Sequence, residues 1–300
     1  MADYGFRLAA FDWLTEQVEQ HGEVLPWALL SWGFEHRGDR IALVSQQGIF
    51  KPAVMELPIS IRTSAEPHYD DTYGPEGLRY RYRGTDPEAW DNRALREAWR
   101  QGVPLVYFYG LAKGQYLSVW PVYIVGDDPA RLTFTVAVDE PSAALELLKG
   151  TGAGDVAETS TRRRYVTALT RRRLHQSSFR EKVLRAYRQQ CALCRLRHRE
   201  LLDAAHIIED KEEGPPVIRN GLALCKLHHA AFDWLFVAVR PDYRVVVRPD
   251  ILEESDGPML LHGLQELEGQ RILLPRKEEW RPDPESLARR WERFTAQAGA

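Results

Sequence analysis

Apolar positions at the start of the chain follow a helical period. Phe6, Ala9, Ala10, Trp13, Leu14 and Val18 recur at steps of three and four, and predict an amphipathic helix over residues 6 to 20. Beyond it the pattern changes. RIALVS, AVMELPISI, VPLVYFYG, YLSVWPVYIV and RLTFTVAVD are short apolar runs cut by Gly, Pro and Asp, which predicts strands of a barrel or sandwich. One helix, over residues 87–99, interrupts them.

In residues 141–160 the Gly, Ser and Thr content rises and the apolar period fades, so a boundary falls there. The division expected is a first domain over 1–150, a basic linker over 151–178 and a second domain over 179–300, opened by a helix over 179–188. Within the second domain LLDAAHII reads as a strand and LALCKLHHAAFDWLF as the start of a helix. WLFVAVRPDYRVVVRP reads as two short strands about a Pro-Asp turn. A supporting helix over 283–296 closes the chain.

Composition bounds the class without deciding function. A chain of 300 residues with 44% hydrophobic and 28% charged residues is that of ordinary soluble protein with two domains. There is no apolar run of about 18 residues and no basic-then-apolar leader, so a cytoplasmic protein is expected, with no membrane partner. The formal net charge of -3 gives no argument for nucleic acid. Its distribution does: Arg162, Arg163, Arg164, Arg171, Arg172, Arg173 and Arg180 crowd the approach to the first cysteine pair and predict a phosphate-contacting segment.

The chemistry is concentrated between residues 191 and 233. Three cysteines, all in one third of the chain, are odd in number for disulfides and suit thiolate ligation. Cys191 and Cys194 form one knuckle; Cys225 and His228 repeat its spacing. Three sulfurs and one imidazole make an ordinary structural Zn2+ site. His229 and Asp233 stand four apart on one helical face, which permits a second ion with open positions, Mg2+ or Mn2+. His206, near the end of the LLDAAHII strand, is then available to take a proton from an attacking water.

The elements AHI around His206, RNGLALC around Asn220 and HHAAFD from His228 to Asp233 resemble the HNH, or ββα-metal, nuclease family over about 45 residues. The resemblance implies that His206 is the general base, that Asn220 braces the loop and orients it, and that His229 and Asp233 bind the catalytic ion. Many members carry a ligand immediately before the base, where this chain has Ala205; Asp203 is the nearest carboxylate and the candidate third ligand.

Upstream, tyrosines and acids interleave in PHYDDTYGPEGLRYRYRGT, residues 67–85. Two aromatic faces can sandwich a flipped base while a carboxylate accepts from the cytosine N4 amine. The order YDD, RYRYRG, DNRALREAWRQGVPLVYFYG resembles the SRA family of modified-cytosine readers. That implies a PUA-like barrel, Tyr69 and Tyr82 as the stacking pair, and Asp71, or else Asp70, as reader of the base edge. An SRA-like reader ahead of an HNH module is similar to the modification-dependent restriction endonucleases of bacteria. The expectation is an α+β protein: an SRA/PUA-like β-barrel followed by a zinc-stapled HNH domain. As a homodimer of the type IV restriction kind, it would cut double-stranded DNA bearing 5-methylcytosine or 5-hydroxymethylcytosine. The alternatives are a non-catalytic modified-DNA reader and an RNA-directed nuclease.

Overall fold

The computed structural model of the chain describes residues 3–64, 78–140, 156–212, 214–255 and 257–298; Tyr69, Asp70 and Asp71 lie outside them. The chain divides into two compact units, Met1–Leu174 and His175–Ala300. Among the described residues no helix is long and apolar enough to cross a membrane.

The first unit is built on a sheet that curls into a half-barrel. Its elements in chain order are α1 (Tyr4–His21), β1 (Val24–Pro26), α2 (Trp27–Trp32), β2 (Phe34–His36), β3 (Asp39–Ile41), β4 (Ile49–Phe50), β5 (Ser60–Arg62), β6 (Leu78–Arg81), α3 (Trp90–Arg100), β7 (Leu105–Ala112), β8 (Gln115–Asp128) and β9 (Thr133–Val138). The sheet order is β4-β5-β7-β8-β9-β6, with β1 also on β8 and only β5 and β7 parallel. The 14-residue β8 changes neighbours along its length: β1 covers Gln115 to Leu117 and β9 covers Val122 to Asp128. Register shifts in the β7–β8 and β8–β9 ladders add local twist, which curls the sheet.

The run VPLVYFYG lacks alternation because both faces of β7 are covered. Leu105 and Tyr107 join the core formed with Ile61, Leu117 and Phe134, whereas Val106 and Phe108 join the core under α1 with Ala10, Leu14 and Leu30.

From Val156 the stretch expected as a basic linker is helical, in α4 (Val156–Ala186), which crosses the division between the units. It contains no Gly or Pro, and its arginines and alanines favour helix. Two of its arginines are engaged within the first unit. Arg162 (2.7 and 3.2 Å) and Arg163 (2.7 Å) both donate to the carboxylate of buried Asp139, and the Arg163 guanidinium lies 3.8 Å from the centre of the Tyr123 ring.

Burial by itself would raise the Asp139 carboxyl. The two guanidiniums more than offset this and hold it below its ordinary value. A lowered folded-state value means that the stabilisation is present above the unfolded carboxyl's value, about pH 4, and is lost as pH falls through the folded one. Asp139→Asn is therefore expected to cost about 3 kcal/mol at about pH 7 and clearly less at about pH 3, read from urea unfolding at both. An equal cost at the two values would exclude the charge as its source.

The second unit contains β10 (Leu202–His206), β11 (Gly221–Cys225), α5 (Lys226–Asp233), β12 (Val237–Val239), β13 (Val245–Val247), α6 (Pro249–Glu253), α7 (Pro258–Gly263) and α8 (Pro284–Ala298). β10 and β11 pair antiparallel from Leu202↔Cys225 to His206↔Gly221, and β12 pairs with β13. GLALC is thus a strand and not the start of the helix, which begins at Lys226. A short apolar run serves either element, and here the LLDAAH partner decides it. Gly221 is required by close approach: a Cβ there would sit 2.5 Å from Val183 Cγ2 and 2.9 Å from Phe179 Cζ, both on α4.

Candidate functional site

Two groups of side chains meet on the β10–β11–α5 unit. The first is the cluster of Cys191, Cys194, Cys225 and His228, whose ligand atoms all lie within 4.8 Å of one another. The Nδ1 of His228 is 3.4 Å from Cys191 Sγ and 3.2 Å from Cys225 Sγ, and Cys194 Sγ is 4.0 Å from Cys225 Sγ. Tetrahedral bonds of about 2.3 Å to sulfur and 2.0 Å to nitrogen would set these separations at roughly 3.5 and 3.8 Å. The cluster is thus a metal-binding site by donor set and by size. The other ring nitrogen of His228 donates to the Gly263 carbonyl at 2.7 Å, which leaves Nδ1 as the lone-pair atom facing the sulfurs. The knuckle is tied to the hairpin by Ala192 N–H on the Ala223 carbonyl, 2.7 Å.

The next residue points elsewhere, since neighbours on a helix diverge by about 100°. His228 is buried, while the His229 side chain is 26% exposed and so open to solvent. Its Nε2 is 3.3 Å from Asp233 Oδ2 and its Nδ1 is 3.8 Å from Asp203 Oδ2. The two carboxylates therefore face opposite edges of one ring. Asp203 is also engaged by Arg180 through Oδ1, 3.0 Å, and by Lys226 through Oδ2. His229, then Lys226 and Arg180, hold its carboxyl well below the usual carboxylate range despite partial burial.

Two ligands at adjacent positions of an octahedral ion with bonds of about 2.1 Å lie roughly 3 Å apart. His229 and Asp233 meet that spacing across Nε2. Asp203, expected as a third ligand, has both oxygens engaged by cations and stands on the other edge of the ring.

His206 ends β10 with its ring stacked on Phe179, centroids 4.0 Å apart and planes at 15°. Asn220 is buried and ties down the chain that follows. Its Oδ1 accepts from Ile208 N–H at 2.9 Å, and its Nδ2 donates to the carbonyls of Ile208, 2.9 Å, and Pro215, 3.1 Å.

Sequence reasoning missed the residue that connects these parts. Arg290 of α8 is 2% exposed and donates to the Ile207 carbonyl, 3.1 Å, and to the Phe232 carbonyl, 2.6 Å. One guanidinium thus bridges the residue after His206 and the residue before Asp233. The available signal was an arginine standing in the apolar stripe of a helix, between Leu287 and Phe294, both buried.

In the first unit, Gln47, Gly48, Arg62, Thr63, Tyr80 and Tyr82 line part of a cavity of about 270 Å³. The Tyr82 ring is 4% exposed and packs 4.6 Å from Phe134, and its hydroxyl donates to Asp127 and accepts from Arg96 at 3.3 Å.

Residues 191–240 match the model of a family described as HNH endonuclease. Among curated proteins, none matches the chain. Solved structures are similar at low identity, two restriction endonucleases among them. The modification-dependent TagI restriction endonuclease is 16% identical, over 93% of this chain and 89% of that one, with a TM-score of 0.28. The type IV phosphorothioation-dependent restriction endonuclease ScoMcrA is 18% identical, over 62% of this chain and 50% of that one, with a TM-score of 0.24.

Proposed function

We propose that the chain is a modification-dependent DNA endonuclease. The second unit hydrolyses the phosphodiester backbone, and the first admits DNA carrying 5-methylcytosine or 5-hydroxymethylcytosine by taking the base out of the stack. The observation that carries this reading is the His229–Asp233 pair, spaced for one ion and joined through Arg290 to the strand end that bears His206.

In this reading zinc at Cys191, Cys194, Cys225 and His228 is structural and replaces the folding energy that so small a hairpin-and-helix unit cannot draw from apolar burial. His229 and Asp233 would hold Mg2+ or Mn2+, which would supply charge stabilisation for the departing 3' oxygen. The neutral imidazole of His206 accepts the proton of the attacking water as its oxygen bonds to phosphorus and the bond to the 3' oxygen breaks; solvent water protonates the departing oxygen, leaving 5' phosphate and 3' hydroxyl ends. Asn220 fixes the loop behind it. Asp203 orients His229 from the far edge of the ring, where a carboxylate commonly stands behind a ligating imidazole.

The cavity beside Tyr80 and Tyr82, with Tyr69 and Asp70 or Asp71 on the segment that joins Ser64 to Leu78, is the proposed place of the base. Cutting both strands with one centre per chain calls for a homodimer.

The test is cleavage of matched unmodified, 5-methylcytosine and 5-hydroxymethylcytosine duplexes, and of an RNA of the same sequence, with added Mn2+. Cutting confined to modified DNA is expected. Equal cutting of all duplexes would remove the reader from the proposal, preference for RNA would reassign the substrate, and binding of modified DNA without cutting would leave a reader alone.

A further inference from the structure

Resting on the nuclease reading, we infer that Arg290 is a positioning residue of the second unit: it sets the distance between the His206 strand end and the metal-binding helix end, and it presents one chosen oxygen of Asp233. A buried guanidinium is costly unless its donors are used, and a well-packed Leu or Met would fill the same stripe at less cost. What Arg290 does with its donors is therefore informative.

Its Nη1 is on the Ile207 carbonyl and its Nη2 on the Phe232 carbonyl. The backbone of Ile207 is held at both its polar groups, its N–H by the Asn220 carbonyl at 2.9 Å and its carbonyl oxygen by Arg290. Phe232 lies in the last turn of α5, where a cation is favoured, and its carbonyl also accepts from Leu235 N–H at 3.2 Å. The guanidinium also lies 3.8 Å from the centre of the Phe232 ring. These contacts lock two segments that are far apart in sequence to a single planar group.

The same Nη2 is 3.9 Å from Asp233 Oδ1, while Oδ2 of that carboxylate is 3.3 Å from His229 Nε2. The two oxygens are thereby divided: one turned toward Arg290, the other toward the ring nitrogen with which it would share an ion.

The rest of α8 grips the same loop. Arg293 pairs with Glu212 at 2.9 Å and Glu209 at 3.4 Å, and Asp283, at the foot of α8, pairs with Arg219 at 2.9 Å. The loop is held at three points, of which Arg290 is the buried one.

The experiment compares the full-length chain with Arg290→Lys, which keeps charge but cannot bridge two carbonyls, and Arg290→Met, which keeps bulk. Three quantities are read: zinc content, affinity for Mn2+ alone by calorimetry, and kcat and KM for a modified duplex. One zinc per chain and cooperative melting are expected to persist. Mn2+ affinity is expected to weaken about 10- to 100-fold, with kcat falling and KM for DNA unchanged. Folded variants with wild-type Mn2+ affinity and kcat would overturn the inference. So would loss of zinc and of cooperative melting in both variants, which would make Arg290 a general structural residue. Should the wild-type chain cut no DNA, the nuclease reading fails by itself; Mn2+ affinity still decides the role of Arg290.

Discussion

Cys191→Ser is expected to remove the metal held by the cysteine cluster, zinc in the proposed reading, and with it the cooperative unfolding of the second unit and the proposed cleavage. Cys191 is fully buried, and its backbone N–H closes the knuckle on the Leu196 carbonyl at 2.9 Å. A hydroxyl in its place is a poor ligand, and the remaining three donors no longer complete the tetrahedron. Structural zinc contributes about 10–16 kcal/mol of folding free energy in small modules at neutral pH, as much as the whole stability of a typical domain, about 5–15 kcal/mol. No repacking of Ala192, Leu202 or Leu224 around the gap can replace a term of that size. Zinc per chain by atomic absorption and thermal melting by circular dichroism are the readouts. A variant with one zinc and wild-type melting would remove Cys191 from the ligand set, and with it the argument that the cluster staples the hairpin to α5.

How much of this was legible depended on how local each signal is. The repeated i, i+3 spacing of Cys191/Cys194 and Cys225/His228 carries the cluster, because only a fold that returns residue 225 beside residue 191 makes use of it. The split between His228 and His229 follows from helix geometry alone. The strands of the half-barrel were visible as short apolar runs, but their order was not, since pairings such as β5 with β7 are made across intervening elements.

A charge's partner was invisible where it was distant in sequence. Asp139, more than twenty residues before Arg162 and Arg163, pairs with both, and Arg180 pairs with Asp203 in the same way. The hydroxyl of Tyr82 is engaged by Asp127 and Arg96, partners that its sequence neighbourhood does not announce. Arg290 stands 83 residues from Ile207, in a helix read as support, and nothing local announces its two carbonyl acceptors.

His206→Ala is expected to abolish cutting while leaving the protein folded, zinc-loaded and able to bind DNA. The two consequences of the change differ enough in size to be told apart. Loss of a positioned general base lowers the rate by about 10²–10⁴-fold, which is roughly 3–5 kcal/mol at the transition state. The stack of the ring on Phe179 is worth about 0.5–1.5 kcal/mol beyond area burial. Phe179 remains packed against the bare Cα of Gly221, and the Asn220 bonds to Ile208 and Pro215 are unchanged. Single-turnover cleavage, duplex affinity by anisotropy and melting temperature, measured on the same preparation, separate these terms. Residual cleavage near the wild-type rate would assign proton removal to another group. A fall in duplex affinity matching the fall in rate would instead make His206 a binding residue, because a base that acts only in the transition state leaves the ground-state complex intact.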